Sequence, residues 1–178
     1  MLEVLRPLPA SMEPSAPTSS PRVARLYWED FVVGQTREFG CYVVTRQAVL
    51  EFARQFDPQP FHVDDAAARQ SLFGKLAASG WHTCAMAMRM MCDGYLLDAA
   101  SLGSPGIEKL RWPNPVFPGD TLRMRSTVLT SRPLASRPAV GVVHSRSEML
   151  NQDGKIVLAM EGAGFFGRRY PAEPTPAA

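Results

Sequence analysis

"GWHTCAMAMRMMCDGYLLDAA" (Gly80 to Ala100) is the stretch on which the fold turns. Ala85, Met86, Ala87, Met88, Met90 and Met91 surround nearly the whole circumference of a helix drawn on it. A helix apolar all round has no face to present to water and belongs inside a protein. The segment therefore predicts a long helix that other elements must cover. Small residues, Ala77 to Gly80, lead into it. The first N–H groups of a helix lack intrahelical partners, and the positive end of the dipole lies there. Such a start can stabilise a developing oxyanion, and a glycine lets a carbonyl approach the backbone closely. Taken alone, Gly80 fits a tight turn equally well.

The flanking sequence supplies the cover. "TREFGCYVVT" (Thr36 to Thr45) is rich in aromatic and β-branched residues and predicts a strand. "TRQAVLEFARQF" then places Ala48, Val49, Phe52, Ala53 and Phe56 on one helical stripe, with Thr45 as N-cap. That helix stops near Asp57, because the residue before Pro58 is pushed out of the α region. "DDAAARQ" predicts a short helix ended by Gly74, with Asp64 and Asp65 as cap and first-turn charge. After the central helix, "IEKLRWPNPV", "TLRMRSTVLTSR", "AVGVVHSRSEML" and "KIVLAMEGAGFFGR" read as strands. The third and fourth are joined by a turn at "NQDG", and Leu122, Met124, Ser126 and Val128 alternate onto one face of the second. Helices followed by a run of antiparallel strands predict an α+β fold, a sheet wrapped around one buried helix.

At 178 residues, 46% apolar and 20% charged, the chain suits one domain with a real core. A formal net charge of +2, with arginines spread along the chain, argues against nucleic acid. No segment approaches the apolar length of a membrane span. Cys84 and Cys92 share the central helix, about 12 Å apart by helical rise and beyond disulfide reach, which fits a reducing, cytoplasmic setting. The N-terminus lacks the pattern of a signal peptide. Residues 1–24 and 170–178 are dense in Pro, Ser, Ala and Thr and are expected to be flexible, leaving 25–169 as the folded domain; Met12 is an alternative start.

"DPQPFHVDD" (Asp57 to Asp65) carries the chemistry. Pro58 and Pro60 fix their own φ and push Asp57 and Gln59 toward extended backbone, so the side chains are held with little freedom. Phe56 and Phe61 flank the segment and could exclude bulk water. A carboxylate and an imidazole held close together can orient one water, take its proton and return one elsewhere. Local composition leaves two readings open: Asp57 as a turn residue with His62 as a structural histidine, or the two as a working pair. Asp57, His62 and His82 match no metal-binding spacing, and no metal is expected.

Three stretches in order, "DPQPFHVDDAAA", "SLFGKLAASGWHT" and "LRWPNPVFPGDTL", resemble the MaoC-like dehydratase family, the (R)-specific enoyl-CoA hydratase group, over roughly Tyr27 to Gly167. The resemblance implies a hot-dog fold, an antiparallel sheet around a long central helix. It implies that Asp57 and His62 are a catalytic dyad adding water to C3 of a trans-2-enoyl thioester, with the Gly80 N–H holding the thioester oxygen. It further implies a homodimer and a coenzyme A thioester substrate, with no metal or redox cofactor. Ser79, Trp81, Lys109 and Arg111 become candidates for contacting the substrate.

The chain departs from the family pattern at three places. Gly-Asp-x-Asn-Pro is replaced by Phe56, Asp57, Pro58, Gln59, Pro60; a histidine before the glycine is Ser79; a serine one turn into the helix is Ala85. These changes bear on the acyl group and its carrier. Two alternatives stay in view. A hot-dog thioesterase needs a carboxylate by the central helix, where Asp93 and Asp98 lie too late. A non-catalytic acyl-thioester-binding subunit would have no use for the dyad. The central-helix methionines could line an adaptable acyl pocket.

Overall fold

A computed structural model describes residues 23–170. The expected arm and tail lie outside the described residues except at their innermost positions. In chain order the elements are β1 (Thr36–Val43), α1 (Arg46–Phe56), α2 (Pro60–Val63), α3 (Asp65–Gln70), α4 (Gly80–Gly94), β2 (Ser101–Arg111), β3 (Thr121–Pro133), β4 (Val140–Leu150) and β5 (Ile156–Gly167). The strands form one antiparallel sheet in the order β1-β3-β4-β5-β2. No described helix is long and apolar enough to cross a membrane.

The sheet curls around α4 as expected. Met86, Ala87, Met90 and Met91 of α4 pack with Val44 and Val49 and with Leu122, Met124, Met149 and Leu158 of three strands. In β3 the expected alternation holds: Leu122, Met124, Ser126 and Val128 are all buried. Phe31, Val128, Val143 and Phe166 make a smaller cluster at one end.

Three expectations need correction. First, α4 ends at Gly94 rather than running to Ala100, and a single 3₁₀ turn (Leu96–Asp98) follows. A β-carbon at Gly94 would fall 2.5 Å from the Phe39 ring. Tyr95 leaves helical backbone (φ −162°) to set its ring edge-on to Phe31 and Phe39. Second, α4 is not covered all round: Trp81, Ala85, Met88 and Arg89 form an exposed stripe at helical spacing. Third, β2 starts at Ser101, well before Ile107. "SLGSPG" precedes the expected strand, and Gly103 and Gly106 take positive φ (103° and 142°) at register shifts that keep it beside β5.

The helices before α4 mostly follow their signals. Thr45 caps α1 by accepting the Ala48 N–H, and Asp64 caps α3 by accepting that of Ala67. α3 stops at Gln70, with Gly74 in the turn beyond it at φ +70°. The buried face of α1 is Val49, Leu50 and Ala53, rotated from the expected stripe, and Phe56 is 63% exposed. At "NQDG" the Asn151 side chain accepts from the N–H groups of Asp153 and Lys155, and Gly154 takes φ +74°.

Candidate active site

The end of α1 delivers Asp57 to the site. Asp57 closes that helix, its N–H bonded to the Ala53 carbonyl. Gln59 is extended (φ −68°, ψ 141°) before Pro60 starts α2 at its first helical position, where a missing N–H costs nothing. That single turn swings His62 back and buries it at 5% exposure. The Pro58–Pro60 segment thus acts by starting a helix as well as by stiffening a loop.

His62 Nδ1 lies 2.8 Å from the Ala77 carbonyl oxygen. A carbonyl only accepts, so Nδ1 carries the proton and Nε2 is left with its lone pair in the neutral ring. Nε2 faces Asp57 Oδ2 at 3.6 Å. That separation is too long for a direct hydrogen bond. One water oxygen can lie within ~2.8 Å of both atoms. Asp57 Oδ2 accepts from the Ser79 hydroxyl at 2.6 Å, and Oδ1 from the Gln59 amide at 2.8 Å. Burial pushes the Asp57 carboxyl up, but those two hydrogen bonds, with a smaller Coulombic contribution from the charged form of His62, outweigh it and hold the carboxyl below its ordinary value. With 16% of its side chain exposed, Asp57 is ionised and still reachable.

Aromatic rings close the site around His62. Phe61 stands edge-on to it (centroids 4.6 Å) and Phe73 lies near-parallel at 6.0 Å. Phe61 is half-buried as anticipated, whereas Phe56 points outward and shields little. The start of α4 forms the opposite wall. Ser79 caps it, accepting the Trp81 N–H at 3.2 Å, while no described residue accepts from the Gly80 N–H. A β-carbon at Gly80 would lie 2.8 Å from Trp112 Cε2, so the indole is seated directly on this glycine. Trp81 and Trp112 pack edge-to-face and are 60% and 43% exposed.

Asp57, His62, Ser79 and Gly80 are therefore brought together. Arg111 immediately precedes Trp112 and ends β2 beside the helix start, whereas Lys109 is bonded to Glu161 at 2.7 Å. Glu161 also binds Arg146, and the two cations lower its pKa to about 2. Gln59, Phe73 and Trp112 were not singled out in the sequence. Gln59 had a signal, an amide between two prolines beside the candidate carboxylate. Phe73 and Trp112 lay within stretches that carry the family resemblance, with no local signal of their own beyond size. His82 is stacked on Phe52 (centroids 4.6 Å, 7° between planes); its buried Nδ1 has no partner among the described residues, and burial pushes its pKa down. Asp93 accepts from Nε and Nη2 of Arg89 on the exposed side of α4.

A cavity of about 330 Å³ lies elsewhere, between the C-terminal half of α4 (Met88, Met91) with Tyr95 beyond it and the sheet (Ser126, Ser145, Ile107). Neither the dyad nor Gly80 lines it; Met88 is ~12 Å along the helix from Gly80 by helical rise. Proton chemistry belongs with the titratable pair, so size alone does not make this cavity the reaction centre. Of the four α4 methionines, Met88 and Met91 line it, while Met86, Met90 and also Met91 belong to the core.

Comparison with known proteins agrees with this geometry. The MaoC like domain matches residues 30–148. The crystal structure of the MaoC-like dehydratase from Rhodospirillum rubrum is 44% identical with a TM-score of 0.76, covering 82% of this chain and 99% of that one. R-hydratase PhaJ1 from Pseudomonas aeruginosa shares the fold at 24% identity and a TM-score of 0.63, over 88% of this chain and 97% of that one. Mesaconyl-CoA hydratase of Cereibacter sphaeroides is 33% identical over 127 residues, which make up 71% of this chain and 32% of that protein. The sheet wrapped on α4 is thus a hot-dog fold, and the chain belongs to the MaoC-like domain family.

Proposed function

We propose that this protein is a hydro-lyase that reversibly adds water across C2=C3 of a trans-2-enoyl thioester, with coenzyme A as the carrier. The observation that carries this reading is the pair formed by ionised Asp57 and the free Nε2 of His62, held 3.6 Å apart. A water between them gives up one proton as its oxygen bonds to C3. The C2=C3 electrons move to C2 through the thioester enolate, and C2 collects the proton from the dyad. Oxygen and both protons of one water are accounted for. Charge developing on the thioester oxygen is met by the Gly80 N–H at the positive end of α4. Coenzyme A is part of the substrate, and no step needs a metal or redox group. The names of the R. rubrum and C. sphaeroides relatives, a dehydratase and a CoA hydratase, support the same class. Arg111, at the end of β2 nearest Gly80, is the better placed of the two basic candidates for coenzyme A phosphates.

The working unit in this proposal is a homodimer. β2 is an edge strand exposed at every residue but Leu110, with Leu102 and Ile107 58% and 53% exposed. An uncovered apolar edge is a pairing surface. Two copies joined edge to edge about a two-fold axis also bring together the exposed Trp81, Ala85 and Met88 stripes of α4. The three free cysteines fit a reducing compartment such as the cytoplasm. Nothing favours a thioesterase, whose candidate Asp93 is tied to Arg89 at the surface.

The test follows loss of conjugated enoyl-thioester absorbance with crotonyl-CoA, a longer trans-2-enoyl-CoA and mesaconyl-CoA. Wild type is expected to turn over at least one, with Asp57→Asn and His62→Ala slower by several orders of magnitude while remaining folded. Wild-type rates in both folded variants would sink the dyad. Tight binding of all three esters without turnover would favour a binding subunit.

A further inference from the structure

We infer that Ser79 is a positioning residue of the dyad: its hydroxyl fixes the Asp57 carboxylate against the start of α4 and does not touch the substrate. This inference rests on the hydratase reading and specifies how its site is held. Ser79 is 1% exposed, so its hydroxyl can reach neither a bound acyl group nor solvent. Its one donor is already used: the hydroxyl donates to Asp57 Oδ2 at 2.6 Å, and it also accepts the Trp81 N–H at 3.2 Å. Oδ2 is also the oxygen facing His62 Nε2. One hydroxyl therefore orients the oxygen that shares a water with the imidazole and caps the helix whose first N–H, that of Gly80, faces the thioester oxygen. Water activation and charge stabilisation are tied together through this single side chain. A nucleophilic role does not fit a hydroxyl that is 1% exposed and makes no bond to the imidazole. The bond is charge-assisted and favours the ionised carboxylate over the protonated one.

The test uses Ser79→Gly and Ser79→Thr. Glycine is an acceptable N-cap that removes the hydroxyl, and threonine keeps it. In Ser79→Gly, kcat should fall ~10- to 100-fold with KM nearly unchanged, as expected when a hydrogen bond to a charged group is lost away from the substrate. The acidic limb of the rate profile should move to higher pH, and Ser79→Thr should restore both. Independently of turnover, the Asp57 carboxyl carbon, followed by NMR, should titrate at higher pH in Ser79→Gly than in wild type. An unchanged Asp57 titration in folded Ser79→Gly reduces Ser79 to a helix cap and overturns the inference. A rise in KM with constant kcat overturns it in favour of substrate contact. Inactive wild type with a shifted Asp57 titration refutes the hydratase reading while leaving the positioning bond intact.

Discussion

Replacing Gly80 with alanine tests the tightest contact at the site. An ideal β-carbon there falls 2.8 Å from Cε2, 3.0 Å from Cδ2 and 3.1 Å from Cζ2 of Trp112. Gly80 is the first residue of α4 with ordinary backbone angles, so alanine by itself should stabilise by ~0.4–1 kcal/mol through the unfolded chain. Against this, overpacking costs ~1–3 kcal/mol. Trp112 is 43% exposed and can tilt outward, which limits the cost. The net expectation is a loss of ~1 kcal/mol, or a fall in Tm of about 2–4 °C for a domain of this size. A double-mutant cycle isolates the cause. In a Trp112→Leu background the clash is gone, so Gly80→Ala should become neutral or stabilising, with a coupling of ~1–2 kcal/mol between the positions. Thermal or urea unfolding of the four proteins measures it. If Gly80→Ala costs the same in both backgrounds, Trp112 is not seated on Gly80, and the wall opposite Asp57 has been misread.

Three further outcomes are expected. Burial lowers the folded-state pKa of His82 from 6.5, so the unfolded chain takes up that proton first. His82 thus contributes stability that is complete above about pH 6.5 and lost below it, with a limiting slope of ~1.4 kcal/mol per pH unit that should vanish from the Tm–pH curve of folded His82→Leu. Ile107→Glu, placing a charge on the exposed β2 edge, should convert the proposed dimer to a monomer by light scattering; a mass that stays dimeric would move the interface elsewhere, and a monomeric wild type would refute the dimer. Thr45→Ala removes the cap on the Ala48 N–H and should cost ~1 kcal/mol in urea unfolding, with no effect on any enoyl-thioester turnover.

What was legible in the sequence follows from how local each cause is. The Thr45 and Asp64 caps depend on the next three residues, and both hold. The α4 boundary failed because its cause is not local: Gly94 lies under Phe39, and Tyr95 turns out to meet Phe31 and Phe39, all from chain far upstream. β2 failed in the same way. Nothing in "SLGSPG" marks a strand; the β5 backbone recruits it, and two glycines absorb the mismatch. The exposed stripe on α4 has a different origin. Apolar periodicity shows that a face avoids water, but it cannot say whether the cover comes from the same chain or from a second copy.

The site divides along the same line. Asp57 and His62 are five residues apart, and the prolines between them make their approach a nearly local matter. Composition could therefore nominate the pair, and the family resemblance could choose the working reading over the turn. Ser79 is twenty-two positions from the carboxylate it holds. As sequence it was a small residue before a helix, grouped with possible substrate contacts because of its neighbour Gly80. Only the packing of α1 against α4 puts its hydroxyl on Asp57 Oδ2. That contact gives physical sense to the departure from the family histidine: a compact hydroxyl in a nearly sealed position can serve the carboxylate and the helix end together, where an imidazole would need several more atoms of space. If Ser79 serves Asp57 as proposed, the constraint on position 79 comes from Asp57 rather than from a substrate, which is why the pH profile, and not chain-length preference, is the property that substitutions there should move.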